Sequence, residues 1–144
     1  MNDERRHEGL LPFSKAKVRL LGQISLLVQE SVALSLTQTV DVDAELLMDH
    51  AIKAAFKALL RNEGYFYDED SSLVWIPSNA RFLPLWDLPN VSVEALDPES
   101  ALVSKAVKAP RKNRQLLRQA IASNQFPSLA DRIVKHGGKL EDFL

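Results

Sequence analysis

Apolar residues alternate with polar ones along short stretches of this chain and recur at helical spacing along longer ones, a pattern that predicts a mixed α/β domain. Residues 17–21 alternate as a strand that Gly22 ends, and Ile24, Leu27, Val28 and Val32 then predict a helix over residues 25–33. β-branched residues favour a strand over residues 39–43. The longest helical stripe, running from Leu46 and Leu47 through Ala51 and Ala55 to Leu59, predicts one helix over residues 44–62, terminated by Asn62 and Gly64. Tyr65-Phe66-Tyr67 and residues 73–76 read as a hairpin around the acidic turn 68–71, and residues 78–90, with Pro84 and Pro89, read as irregular. Alternation resumes over residues 91–95, with Val91 and Val93 facing one way and Ser92 and Glu94 the other. Asp97-Pro98-Glu99 has the chemistry of a helix start: a capping aspartate, a proline at the first helical position and an acid in the first turn. That helix is predicted to reach Pro110, a second to cover residues 113–123, and a last to run from Ser128 to Gly137-Gly138.

A length of 144 residues, with 46% hydrophobic and 26% charged, fits one globular domain with a real core. Residues 1–9, polar and charged up to Gly9, predict a loosely attached arm; residues 10–144 form the domain, with its helical part over about 97–137. The absence of cysteine excludes disulfides, thiolate zinc sites and a cysteine nucleophile. No stretch approaches the roughly eighteen apolar residues of a membrane span, and the charged start has no apolar run behind it. The expectation is a cytoplasmic protein without membrane contact. A net charge of -1 hides an uneven distribution: acids recur from Asp41 to Glu99, whereas Lys105, Lys108, Arg111, Lys112, Arg114 and Arg118 follow with no acid among them. Such a segment either neutralises phosphates or forms a solvated helix face.

Candidate chemistry concentrates at Thr39-Val40-Asp41-Val42-Asp43. On a strand, residues two apart share a face, so Asp41 and Asp43 would stand together while Val40 and Val42 enter the core. Two carboxylates so placed suit Mg²⁺, with Mn²⁺ as an alternative; the plainer reading is an exposed strand end that carries two acids. The strand, glycine and helix around Gly22-Gln23-Ile24-Ser25 would present backbone N–H groups at a helix start, where phosphate is favoured. His50 reads as a hydrogen-bonded structural residue, and Trp75 and Trp86 either as packing residues or as a pair framing a base. Glycine-rich dinucleotide, Walker-type and nucleophile-elbow motifs are absent, and His7, His50 and His136 lack zinc-ligand spacing.

Four landmarks in order resemble those of the minimal nucleotidyltransferases of the DNA polymerase β-like superfamily, the small prokaryotic type found in toxin–antitoxin and phage-defence systems. They are Leu20-Leu21-Gly22-Gln23-Ile24-Ser25, Thr39-Val40-Asp41-Val42-Asp43, the helix entry from Leu96-Asp97-Pro98 to Lys105, and Arg111-Lys112-Asn113-Arg114. The resemblance covers roughly residues 17–123 and implies a small mixed sheet flanked by helices, with further helices at the C-terminal end. It implies Mg²⁺ on Asp41 and Asp43, and a nucleoside triphosphate contacted at Gly22, Gln23, Ser25, Thr39 and Lys105. The implied reaction is transfer of a nucleotide to a hydroxyl of a protein, an RNA or a small molecule, with loss of pyrophosphate.

The chain departs from that pattern at identifiable positions. Gln23 stands where a second glycine is usual, Thr37 where a basic residue is common, and Asn113 where an acid is common. Strand alternation nominates Glu94 as the third catalytic carboxylate, with Asp87 behind it. Two functions therefore compete: an active metal-dependent nucleotidyltransferase, or a degenerate member that binds a nucleotide or a protein partner, such as a toxin–antitoxin component, without turnover. A nucleic-acid binder using Lys105 to Arg118 is a third reading, although no recognition motif accompanies the charge.

Overall fold

The computed structural model describes residue 2 and residues 14–144; the arm expected over residues 1–9 lies, apart from residue 2, outside the described residues. The mixed α/β class holds. β1 (Ala16–Leu20), β3 (Ala44–Leu47), β5 (Phe82–Asp87) and β6 (Val91–Leu96) form one sheet in the order β3-β1-β6-β5. β1 runs parallel to β6, and the other pairings are antiparallel. A second, two-stranded sheet pairs β2 (Asp41–Val42) with β4 (Phe66–Tyr67) in parallel.

Alternation fixes which face of the larger sheet is buried. Val18, Leu20, Ala44, Leu46 and Ala95 join Val42 in one apolar cluster, against which Phe56 and Leu60 pack. On the opposite face Arg19 pairs with Glu94 at 3.1 Å and with Glu45 at 3.8 Å, and its guanidinium stacks 4.7 Å over the Phe82 ring. The larger cluster is helical. It joins α1 (Gly22–Leu27), α3 (Pro98–Lys108), α4 (Arg114–Ala122) and α5 (Leu129–Lys135) through Leu26, Leu102, Val103, Leu117, Leu129 and Ile133. Asp97 caps α3 as the sequence predicts, its Oδ1 accepting from the Ser100 N–H at 3.0 Å. Its Oδ2 accepts from the Arg81 N–H at 2.8 Å, which ties β5 to the same point.

Five local expectations change. The helix expected over residues 44–62 splits into β3 and α2 (His50–Asn62), because Ala44 and Leu46 turn inward opposite Leu20 and Val18 while Glu45 and Leu47 face out. The first helix begins at Gly22 and ends at Leu27, well before residue 33. The hairpin does not form: β4 pairs with β2, Ser71–Leu73 is a single 3₁₀ turn, and Val74, Trp75 and Ile76 pack on the helical core. Part of the stretch expected to be irregular is strand β5, whose register shifts between Pro84 and Trp86, where proline cannot donate and an edge strand tolerates it. Val40 also stays out of the core, at 53% exposure, since β2 begins only after it.

Among the described residues no helix is long and apolar enough to cross a membrane. Leu102, fully buried between α3 and its neighbours, should be costly to truncate. Leu102→Ala is expected to destabilise the fold by about 2–5 kcal/mol in urea unfolding. Leu59→Ala, at a 63% exposed position on α2, should change stability by less than about 0.5 kcal/mol. Equal costs would contradict this assignment of the core.

Candidate functional site

The candidate site is built where β1 ends. Leu21 donates its N–H to the Asp43 carbonyl at 2.8 Å, so the chain leaving β1 is fastened to the segment between β2 and β3. Gly22 follows with φ of +55°, a left-handed conformation that side chains disfavour. Space there is also lacking, since a Cβ at position 22 would lie 2.7 Å from Asp43 Oδ2. The glycine therefore lets the Asp43 carboxyl pack directly against the backbone at the start of α1.

Asp41, exposed on β2, donates its N–H to Thr39 Oγ1 at 3.2 Å. Asp43 is half-buried. Burial first, then a side-chain hydrogen bond with Asp68 and the charge of Asp68, push its pKa from 3.8 up to about 6; Lys105 pulls it down, and Asp41 adds a smaller upward push. Asp68 reaches this position because β4 pairs with β2: its N–H donates to the Val42 carbonyl at 2.9 Å, and its Oδ1 accepts from the Asp70 N–H at 2.8 Å. From the other side comes Lys105 on α3, its ammonium shifted down by burial and by Lys112 and held up by Asp43. Asp43 thus lies between Asp68, at the end of β4, and Lys105 of α3, with the Asp41 charge also felt from β2.

A cleft of about 710 Å³ opens beside this corner, lined by Gln23, Thr37, Thr39, Lys105, Arg111 and Lys112 among others. A hollow of about 450 Å³ lies on the far side of Lys105, with Gly22, Trp75 and Lys108 in its lining. Lys105, Lys112 and Asn113 border both. Four of the six cations of the basic segment, Lys105, Arg111, Lys112 and Arg114, line the larger cleft.

Of the residues expected at the site, Asp41, Asp43, Gly22, Gln23, Thr39 and Lys105 come together here. Ser25 does not line the cleft: it is fully buried, and its Oγ donates to the Gly22 carbonyl at 2.6 Å, bracing the first turn of α1. Gln23 donates through Nε2 to the Thr37 carbonyl at 2.8 Å and so fixes one wall of the cleft. Glu94 is engaged elsewhere, by Arg19 at 3.1 Å and Lys17 at 3.6 Å, and Asp87 pairs with Lys15. The third acid beside Asp43 is instead Asp68, which sequence reasoning took for a turn residue. Its only signal was position, immediately after a short aromatic strand. His50 is exposed on α2; Trp75 packs edge-on to His136 with ring centres 5.3 Å apart, while Trp86 stands 57% exposed on β5.

Among the described residues no group of three or more His, Cys, Asp or Glu side chains is arranged to hold a metal ion. The donors at the corner are nonetheless all carboxylate oxygens, the set that Mg²⁺ and Mn²⁺ take, and these ions draw remaining ligands from water and phosphate. Asp43 with Asp41 or Asp68 fits such a two-carboxylate share. No protein-family profile matches the chain, and no curated protein or solved structure shows significant similarity to it.

Two outcomes test this geometry. Gly22→Ala should cost at least about 1–2 kcal/mol from the left-handed backbone alone, and should displace the Asp43 carboxyl; unchanged stability would contradict the close approach. Between pH 3.8 and about 6 the folded protein holds a proton on Asp43 that the unfolded chain has lost, so stability falls as pH rises through that window. Asp43→Asn should remove this slope, gaining on the wild type as pH rises from about 4 to about 7 in parallel urea titrations. A difference that does not change with pH would refute it.

Proposed function

We propose that the cleft binds the triphosphate of a nucleotide and that the protein is a metal-dependent nucleotidyltransferase of minimal type. The observation that carries this reading is that Lys105, which faces Asp43 and its partner Asp68, also lines a cleft whose wall includes Arg111, Lys112 and Arg114. Phosphates need cations, and a transferred nucleotidyl group needs its charge neutralised at one end of that run. A basic cleft next to a carboxylate corner, with Lys105 common to both, supplies both conditions. The order of motifs along residues 17–123 supports the same assignment.

Lys105 and Lys112 hold phosphate oxygens, and Arg111 and Arg114 extend the basic wall along the nucleotide. Asp43, with Asp41 or Asp68, would hold Mg²⁺ or Mn²⁺, which when bound supplies charge neutralisation and alignment at the α-phosphate. An acceptor hydroxyl attacks the α-phosphorus, the bond to pyrophosphate breaks, and the hydroxyl proton passes to a carboxylate of the corner. The acceptor is a protein, an RNA or a small molecule, and the reaction belongs in the cytoplasm, where nucleoside triphosphates are available.

A second reading is binding without turnover, to a nucleotide or to a partner such as the other half of a toxin–antitoxin pair. The hydrogen bond between Asp43 and Asp68 and the inward turn of Ser25 favour it. Calorimetric titration of ATP, CTP, GTP and UTP with Mg²⁺, together with a pyrophosphate-release assay, separates the two. The first reading expects metal-dependent binding and pyrophosphate release, both lost in a folded Asp41→Ala/Asp43→Ala variant. Binding without pyrophosphate release under any acceptor supplied selects the second, and no binding by folded protein overturns the nucleotide assignment.

A further inference from the structure

Ser35 and Thr37 line the cleft although residues 33–37 belong to no strand. Val32, Leu34 and Leu36 pack on the helical core, while the intervening residues are held through their backbones by glutamine side chains. The Gln125 carboxamide binds Ala33 twice, accepting from its N–H at 3.1 Å and donating to its carbonyl at 3.0 Å. Gln119 Oε1 accepts from the Ser35 N–H at 3.2 Å, and Gln23 Nε2 donates to the Thr37 carbonyl at 2.8 Å. Side-chain amides here do what a neighbouring strand would do, at every second residue.

Two of these amides are left half used, Gln23 at its oxygen and Gln119 at its nitrogen. A backbone N–H can only donate, so the Gln119 oxygen faces Ser35 and its Nε2 remains available to donate. Among the described residues no group accepts from that Nε2, and Gln119 lines the cleft. The cleft also changes character along its length. Toward α3 and the start of α4 the lining carries Lys105, Arg111, Lys112 and Arg114; further along α4 it carries Gln115, Leu116 and Gln119, without charge, with Gln119 against Ser35. A triphosphate belongs at the first end, which leaves the second for a flat, neutral, hydrogen-bonding ring.

We propose that Gln119 selects the base of the bound nucleotide, its backbone-locked Nε2 donating to a carbonyl on the base edge. The inference rests on the nucleotide reading above. Guanine and uracil offer a carbonyl where adenine and cytosine offer an amino group, so a fixed donor favours the first pair. GTP should bind more tightly than ATP, and UTP more tightly than CTP, each by about tenfold, the worth of one hydrogen bond.

The test is Gln119→Glu, which keeps an oxygen for the Ser35 N–H and exchanges the donor for an acceptor. Its added negative charge weakens every triphosphate alike, so the readout is the ratio of dissociation constants within each pair, measured calorimetrically beside the wild type. Amide exchange at Ser35 reports whether the wall stays fastened. The expected result is loss of the roughly tenfold preference, with Ser35 protection retained. Equal binding of all four nucleotides by the wild type, or a preference that survives in the variant, overturns the role of Gln119 while leaving the nucleotide cleft in place. No binding of any nucleotide overturns both.

Discussion

Burying the Asp43 carboxyl beside a second acid costs free energy, and the way the cost is offset ties together distant parts of the chain. The carboxyl lies against the backbone of Gly22, shares a hydrogen bond with Asp68 and faces the Lys105 ammonium. Each neighbour arrives on a different element: the turn after β1, the end of β4 and the middle of α3. None of the three is close to Asp43 in sequence. A half-buried acid that retains its proton up to about 6 and opposes a lysine is costly to bury, since apolar residues would fill the same space more cheaply.

The rest of the architecture serves that junction. Parallel pairing of β1 with β6 carries the chain directly into the Asp97 cap and α3, which delivers Lys105. Parallel pairing of β2 with β4 sets Asp68 beside Val42, and Ser71 locks the following turn by donating to the Asp68 carbonyl at 2.6 Å and accepting from the Ala44 N–H at 3.1 Å. Arg132 fixes the start of α3 from α5, reaching Glu99 at 3.0 Å and Ser100 Oγ at 2.8 Å. Substitutions at such remote positions therefore act on the cleft through the placement of α3.

Much of this was legible where local chemistry decides the outcome. The Asp97-Pro98 helix start, the α4 and α5 segments, the β1 strand ended by Gly22 and the alternation of β6 all follow from caps, periodicity and turn residues. What escaped depends on pairing across the chain. Residues 44–47 carry apolar side chains compatible with either period, and only the opposing Val18 and Leu20 make them a strand. Likewise the parallel partnership of residues 66–67 with 41–42 cannot be read from either stretch alone, so Asp68 was missed and Glu94 nominated on alternation. Glu94 does share the face that alternation assigns it, but that face is spanned by Arg19 and Lys17. The Ser25 side chain turns inward, since a serine near a glycine turn serves equally well as an internal brace.

The central claim is that the acid corner and the basic wall form one site, and paramagnetic broadening tests it most directly. Isotope-labelled protein would be titrated with Mn²⁺ in the presence of a non-hydrolysable nucleoside triphosphate, and backbone signals followed by NMR. The account predicts broadening centred on Gly22, Asp41, Asp43 and Asp68, accompanied by shifts at Lys105 and Lys112 that require the nucleotide. Broadening confined to other acids, such as Glu141 and Asp142, or shifts in the basic wall with no cation at the corner, would contradict it.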